Sequence, residues 1–185
     1  MKSESTDRPP LRLLQAIQYA ARCHASQKRK DRITPYISHP VRVMSILALG
    51  AGVTDADTLI AAVLHDTIED TNADYDEIDG KFGRAVARHV AALSKDKRLP
   101  AARREREFLR TLAASPDPVR LCKLADTLDN LIDAETLDAD SQAKKADKAE
   151  RLLKAFRGKI PKGGERIAAW IAEAAARLRH QTEDR

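Results

Sequence analysis

The chain has 185 residues, a formal net charge of +5, 43% hydrophobic residues and only 4% aromatic ones. That length and hydrophobic share suit one domain with its own core and exclude a disordered chain. Scarce aromatics favour packed helices over sheets and leave little to stack bases on, which argues against nucleic acid as the partner despite the basic charge.

Met1 to Pro10 is polar and has no apolar h-region, so no secretory signal is expected. It reads as a flexible N-terminal tail, residues 1–10, ahead of a single domain over 11–185. Leu11 to His24 has helical periodicity, with Leu13, Leu14, Ile17 and Ala21 on one stripe. Lys28 to Pro35 is a basic loop that delivers Tyr36 and His39. Pro40 suits the first turn of a second helix, running to Leu49 and closed by Gly50 and Gly52. Thr54 or Asp55 caps a third helix. Its apolar run, Thr58 to Leu64, ends abruptly at His65-Asp66 and is expected to continue as helix to Glu69-Asp70.

Asp74 to Gly83 reads as a short helix followed by a turn, and Arg84 to Leu93 as another helix. Lys95 to Pro100 reads as a mobile charged loop beside a site. Pro100 to Ala114 is the next helix, and Ser115-Pro116-Asp117-Pro118 announces another that carries Asp126 and Asn130. Two more follow, about Asp140 to Arg157 and Gly164 to His180, separated by Gly158, Pro161 and Gly163-Gly164. The expectation is an all-α bundle of about eight to ten helices. No stretch approaches the ~20 apolar residues that cross a bilayer. Cys23 and Cys122 lack paired metal spacing and suit reduced thiols in a cytoplasmic protein.

The chemistry lies where ligand-type side chains interrupt apolar runs. Burying an imidazole beside a carboxylate is costly unless each finds a partner. His39, His65, Asp66 and Asp126 together offer two nitrogens and two carboxylates. Mixed N/O donors suit Mn²⁺, Fe²⁺ or Zn²⁺, and the lack of thiolates argues against a structural zinc site. Glu69 lies at i+4 from His65 and Asp70 at i+4 from Asp66, within reach of a water at such an ion. His24, His89 and His180 lack acidic partners at ligand spacing and read as ordinary surface or core histidines, and Trp170 as packing.

Gln27-Lys28-Arg29-Lys30, Pro35-Tyr36-Ile37-Ser38-His39-Pro40, His65-Asp66-Thr67-Ile68-Glu69-Asp70-Thr71 and Lys123-Leu124-Ala125-Asp126 occur in an order that resembles the HD-type hydrolase domain of RelA/SpoT homologues. The likeness runs from about Leu11 to Leu153 and points to the small, single-domain alarmone hydrolases, the class that includes the metazoan SpoT homologue. It implies an HD-domain helical bundle in which His39, His65, Asp66 and Asp126 bind Mn²⁺. Glu69 and Asp70 would act on the attacking water, while Arg29, Lys30 and Asn130 would contact a hyperphosphorylated nucleotide. The implied reaction removes the 3′-pyrophosphate of (p)ppGpp. A homodimer is compatible with this class.

The chain also departs from the pattern. Longer relatives usually read Ala-Asp-Arg-Leu-His-Asn where this chain has Ala125-Asp126-Thr127-Leu128-Asp129-Asn130. Ile132 stands where an arginine is common, and Asp138 to Ala155 contains no aromatic. Base preference therefore stays open, with (p)ppApp or the phosphate of NADPH as alternative substrates. A non-catalytic nucleotide or metal sensor and an RNA-binding helical module are the other rivals.

Overall fold

The computed structural model describes residues 8–95, 97–98 and 100–183. The expected tail at residues 1–7, and the loop at Asp96 and Leu99, lie outside the described residues. Among the described residues there are ten α-helices and one π-helical turn: α1 (Pro9–Cys23), α2 (Ser38–Ser45) continued by a π turn (Ile46–Gly50), α3 (Ala56–Leu64), α4 (Thr67–Asp70), α5 (Tyr75–Phe82), α6 (Arg84–Leu93), α7 (Ala101–Ala114), α8 (Asp117–Ala134), α9 (Ala139–Ala155) and α10 (Glu165–Glu183). The expected all-α bundle is what forms, and no helix among the described residues is long and apolar enough to cross a membrane.

Helix α3 lies at the centre. Ile60, Ala61, Ala62, Val63 and Leu64 are all fully buried, so the second half of this helix has no solvent face, and only its first turn keeps a part-exposed polar residue, Asp57. It packs against α1, α2, α6 and α8. Fully burying a side chain such as Leu64 stabilises the fold by about 1.5–3 kcal/mol. Asp55 caps the helix, accepting from the Thr58 amide at 2.8 Å. On the other side, α9 and α10 pack against each other and α10 against α8, closing the bundle over Phe156, Ile167 and Ile171.

Three local outcomes differ from the sequence expectation. Helix α1 begins at Pro9, not Leu11, with proline filling positions whose amides would have no helical partner. The second helix loosens into a π turn before Gly50 rather than staying α-helical. The third difference matters most for function: helix does not run through His65-Asp66. The His65 ring Nδ1 donates back to the Ala62 carbonyl at 2.8 Å, and the Thr67 hydroxyl donates to the Leu64 carbonyl at 2.7 Å. These side-chain bonds cap the last carbonyls of α3 and let the chain turn. A new short helix, α4, then carries Glu69 and Asp70.

Candidate metal centre

Three elements bring the ligand-type side chains together. His39 comes from the first turn of α2, His65 and Asp66 from the turn between α3 and α4, and Asp126 from the middle of α8. His39 is 1% exposed and His65 3%. The candidate ligand atoms of His39, His65 and Asp126 all lie within 4.8 Å of one another. His39 Nε2 is 3.2 Å from His65 Nε2 and 3.2 Å from Asp126 Oδ1. Asp66 Oδ2 reaches the same two nitrogens, at 3.0 Å from His65 Nε2 and 3.5 Å from His39 Nε2.

The proton positions decide what this cluster can hold. A backbone carbonyl only accepts, so His65 Nδ1, bonded to Ala62 O, carries its ring proton. His39 Nδ1 lies 2.7 Å from Asp129 Oδ2 and donates likewise. In the neutral rings both Nε2 lone pairs therefore face each other and two carboxylates. Such an arrangement calls for positive charge between the atoms. Two donors each about 2.1 Å from a shared ion, at right angles to one another, would lie about 3 Å apart, close to the spacings seen. Two neutral imidazoles and two carboxylates sum to −2, which a divalent cation cancels. The donor set fits such an ion.

Electrostatics agree. Burial opposes charge on His39, but hydrogen bonds to Asp126, Asp129 and Asp66 outweigh it and raise its pKa to about 9. His65 is likewise raised despite burial, chiefly by Asp66 and Asp126. Burial would push the two carboxyls up, yet His65 and His39 hold Asp66 well below the usual range, and Lys123 with both histidines does the same for Asp126. Raised imidazoles beside lowered carboxyls mark a cluster that favours positive charge among its atoms.

Each ligand has a second anchor. Tyr36 donates its hydroxyl to Asp66 Oδ2 at 2.6 Å. Asn130 Nδ2 donates to Asp126 Oδ1 at 2.6 Å, and the Lys123 ammonium to Asp126 Oδ2 at 2.6 Å. The loop that presents Tyr36 is closed by Arg29 N to Thr34 O at 2.8 Å and Tyr36 N to Gln27 O at 3.0 Å. Asp31 accepts from the Ile33 and Thr34 amides, and Arg32 takes a left-handed turn with φ of 62°.

The acidic pair sits beside this cluster, half-buried at Glu69 and exposed at Asp70. Glu69 Oε2 accepts the Lys95 amide at 3.0 Å, and Asp70 pairs with Lys97 at 3.2 Å. The Asp70 carbonyl is held by Gln27 Nε2 at 2.7 Å, whose Oε1 is 2.8 Å from Nδ1 of buried His24. His24, read from the sequence as unrelated to the site, thus braces the acidic turn.

The residues expected at the nucleotide, Arg29, Lys30 and Asn130, line one small cavity of about 30 Å³ together with Lys145. Arg29 turns inward, with Nε 2.6 Å from Asp133 Oδ2 and Nη2 3.3 Å from Asp129 Oδ2. Asn130 bridges Asp126 to Lys145, accepting the lysine ammonium on Oδ1 at 3.0 Å. Lys30 stays exposed. A cavity of about 140 Å³ opens beside Asp126, lined among others by Phe108, Lys123, Asn130, Lys145 and Lys148. Burial, then the charges of Lys30 and Lys148, lower Lys145 to about 8. Lys145 and Lys148 were not singled out from the sequence; their only trace there is i, i+3 spacing on α9.

Comparison with known proteins places this geometry. The chain is 47% identical over 122 residues to guanosine-3′,5′-bis(diphosphate) 3′-pyrophosphohydrolase MESH1 of Homo sapiens, spanning 65% of this chain and 68% of that protein. It is 43% identical over 122 residues to the MESH1 of Danio rerio, with the same coverage. A solved structure described as a metazoan orthologue of SpoT that hydrolyses ppGpp superposes with a TM-score of 0.81 at 31% identity, covering 90% of this chain and 94% of that one. The paired His65-Asp66, with a second histidine and a second aspartate brought in from neighbouring helices, lies inside residues 16–159, which match the HD domain; the chain belongs to that family.

Proposed function

We propose that the chain is a Mn²⁺-dependent hydrolase that removes the 3′-pyrophosphate from (p)ppGpp-type alarmones. The observation that carries this is the meeting of two Nε2 atoms and two carboxylates at 3.0–3.7 Å, with both Nδ1 atoms engaged as donors. The likeness to proteins named for this reaction supplies the substrate class.

His39, His65, Asp66 and Asp126 would hold the ion, and their N/O mixture suits Mn²⁺. When bound, a divalent ion supplies ionised water near neutral pH and a counter-charge for a phosphoryl oxygen. Glu69 has one carboxylate oxygen held by the Lys95 amide, leaving the other to take the proton of the attacking water. Asp70 lies next to it on the same short helix and is the second candidate acceptor. Water adds at the phosphorus nearest the ribose, the bond from that phosphorus to O3′ breaks, and O3′ takes up a proton. A nucleoside 5′-polyphosphate and pyrophosphate result. Lys123, Lys145 and Lys148 around the cavity, with Lys30 in a neighbouring pocket that shares Lys145 and Lys148, would carry the positive charge that such a substrate needs. The unpaired thiols Cys23 and Cys122 suit the reducing cytoplasm.

The test is release of pyrophosphate from ppGpp by the purified chain, with Mn²⁺ and after chelation. Turnover that requires the metal supports the reading. Tight Mn²⁺ binding without turnover of ppGpp would overturn the substrate, and turnover unaffected by chelator would overturn the metal role.

A further inference from the structure

We infer that Asp129 is the positioning residue for His39: its carboxylate fixes the ring so that Nε2, not Nδ1, is offered to the metal. The inference rests on the metal-dependent reading of the site. It concerns a residue at which this chain departs from the pattern of its longer relatives, which carry histidine at that place.

Asp129 is 0% exposed, and burying a carboxylate is costly unless it is paired. Two arginines already serve that purpose, Arg42 Nε at 2.6 Å from Oδ1 and Arg29 Nη2 at 3.3 Å from Oδ2. If Asp129 were only an anchor for those arginines, nothing would require it to touch the metal cluster. Yet its shortest contact through Oδ2 is to His39 Nδ1, at 2.7 Å, and the other nitrogen of that ring faces His65, Asp66 and Asp126. Arg29, approaching the same Oδ2, helps to fix its position.

Position on α8 explains how one helix does two tasks. Asp126 and Asp129 are three residues apart, so they share a face one turn along. The first reaches the cluster directly, and the second acts on it through His39. The two histidines are pinned differently. His65 donates to a neutral carbonyl, whereas His39 donates to a carboxylate. A carboxylate partner makes the ring a stronger donor to a metal. His39 is thus expected to be the tighter nitrogen ligand of the pair.

The test uses the full chain and reads Mn²⁺ affinity by titration calorimetry. Asp129→Asn keeps the shape and loses the charge; Asp129→Ala loses both. The expected weakening is about 10-fold to 100-fold, larger for alanine. Arg42→Gln provides the structural control. It removes one of the two arginine partners of Asp129 and leaves Arg29 and the His39 contact in place, so Mn²⁺ affinity should fall clearly less than in Asp129→Asn. A second measurement needs no variant: in the Zn²⁺-loaded parent protein, ¹⁵N shifts should show His39 bound through Nε2 with a slowly exchanging proton on Nδ1.

Parental Mn²⁺ affinity in Asp129→Ala would overturn the inference. So would Nδ1 ligation in the zinc-loaded parent, or a loss in Arg42→Gln as large as in Asp129→Asn. If the parent binds Mn²⁺ and its affinity falls as described, yet ppGpp is not cleaved, the proposed substrate fails while the role of Asp129 stands. A parent that binds neither Mn²⁺ nor Zn²⁺ would overturn both.

Discussion

The candidate metal centre and the lysine-lined cavity share Asp126, yet they are built on opposite principles. In the centre every candidate ligand has a further anchor: His39 in Asp129, His65 in the Ala62 carbonyl, Asp66 in Tyr36, and Asp126 in Asn130 and Lys123. Such anchoring removes rotamer freedom before anything binds, so donor geometry is set in advance. The cavity wall sets the lysines Lys95, Lys123, Lys145 and Lys148 among apolar side chains such as Phe108, Leu109 and Leu152. Lys145 rests on Asn130 and crowds Lys30 and Lys148, and burial together with their charges weakens its hold on a proton. One half of the site fixes positions; the other supplies positive charge to whatever anion arrives. Mutations should therefore act differently in the two halves, on metal binding and rate in the first and on substrate affinity in the second.

The largest effect is expected from His65→Ala. It removes one of two nitrogen donors and leaves Asp66 and Asp126 without an imidazole that each approaches. Calorimetry should show no measurable Mn²⁺ binding, and pyrophosphate release should stop. Binding at the parental level would break the claim that the first half is the metal site. Next comes Glu69→Gln, which keeps the bond from the Lys95 amide but cannot accept the water's proton. Mn²⁺ affinity should hold while kcat falls by about 10²–10⁴-fold, the usual contribution of a positioned general base. A weakened metal with unchanged kcat would instead make Glu69 a ligand.

These two variants also mark how much could be read from residues alone. His65-Asp66 stands out because it ends a run of buried apolar residues, and Asp126 because it interrupts another; a polar group in such a place needs a reason. Helices α6 and α7, and the start of α8, follow from periodicity, prolines and caps to within a residue or two. The break after α3 was not legible, because it depends on bonds from His65 and Thr67 back to carbonyls three residues earlier. Glu69 and Asp70 consequently stand on a separate short helix and not on an i+4 continuation of α3. Long-range ion pairs were equally hidden. The resemblance directs Arg29 to the nucleotide but gives no sign of the ion pairs its guanidinium makes with Asp129 and Asp133, 100 and 104 residues away in the chain. Asp129 showed only as a mismatch to a pattern, and nothing in spacing tells a mismatch that is tolerated from one that performs a task. Lys145 and Lys148 lie on a helix rich in lysine, where a charge facing a cavity looks the same as one facing water.

In the second half, Lys148→Ala should leave Mn²⁺ affinity intact and raise KM for ppGpp by about 5-fold to 10-fold with little change in kcat, the loss of a single partly exposed charge contact being worth about 1 kcal/mol. Steady-state kinetics at saturating Mn²⁺ measures this. A fall in kcat with KM unchanged would mean that Lys148 acts in the transition state, and the division between the halves would blur.

The smallest and most discriminating effect is the pH dependence of that affinity. Burial and neighbouring ammonium groups lower Lys145 to about 8. It is therefore charged at pH 7 and loses its proton as pH rises through 8, so its attraction for an anionic substrate should fade in that window. KM for ppGpp should rise a few-fold between pH 7 and pH 9 in the parent. In Lys145→Ala, KM should start higher and show a flatter rise, because the group that titrates is gone. Comparing the two profiles cancels the ionisation of the substrate and of the metal ligands, which both proteins share. Identical slopes would show that Lys145 does not face the substrate, and the charge would then have to come from the cavity's other lysines, Lys95, Lys123 and Lys148.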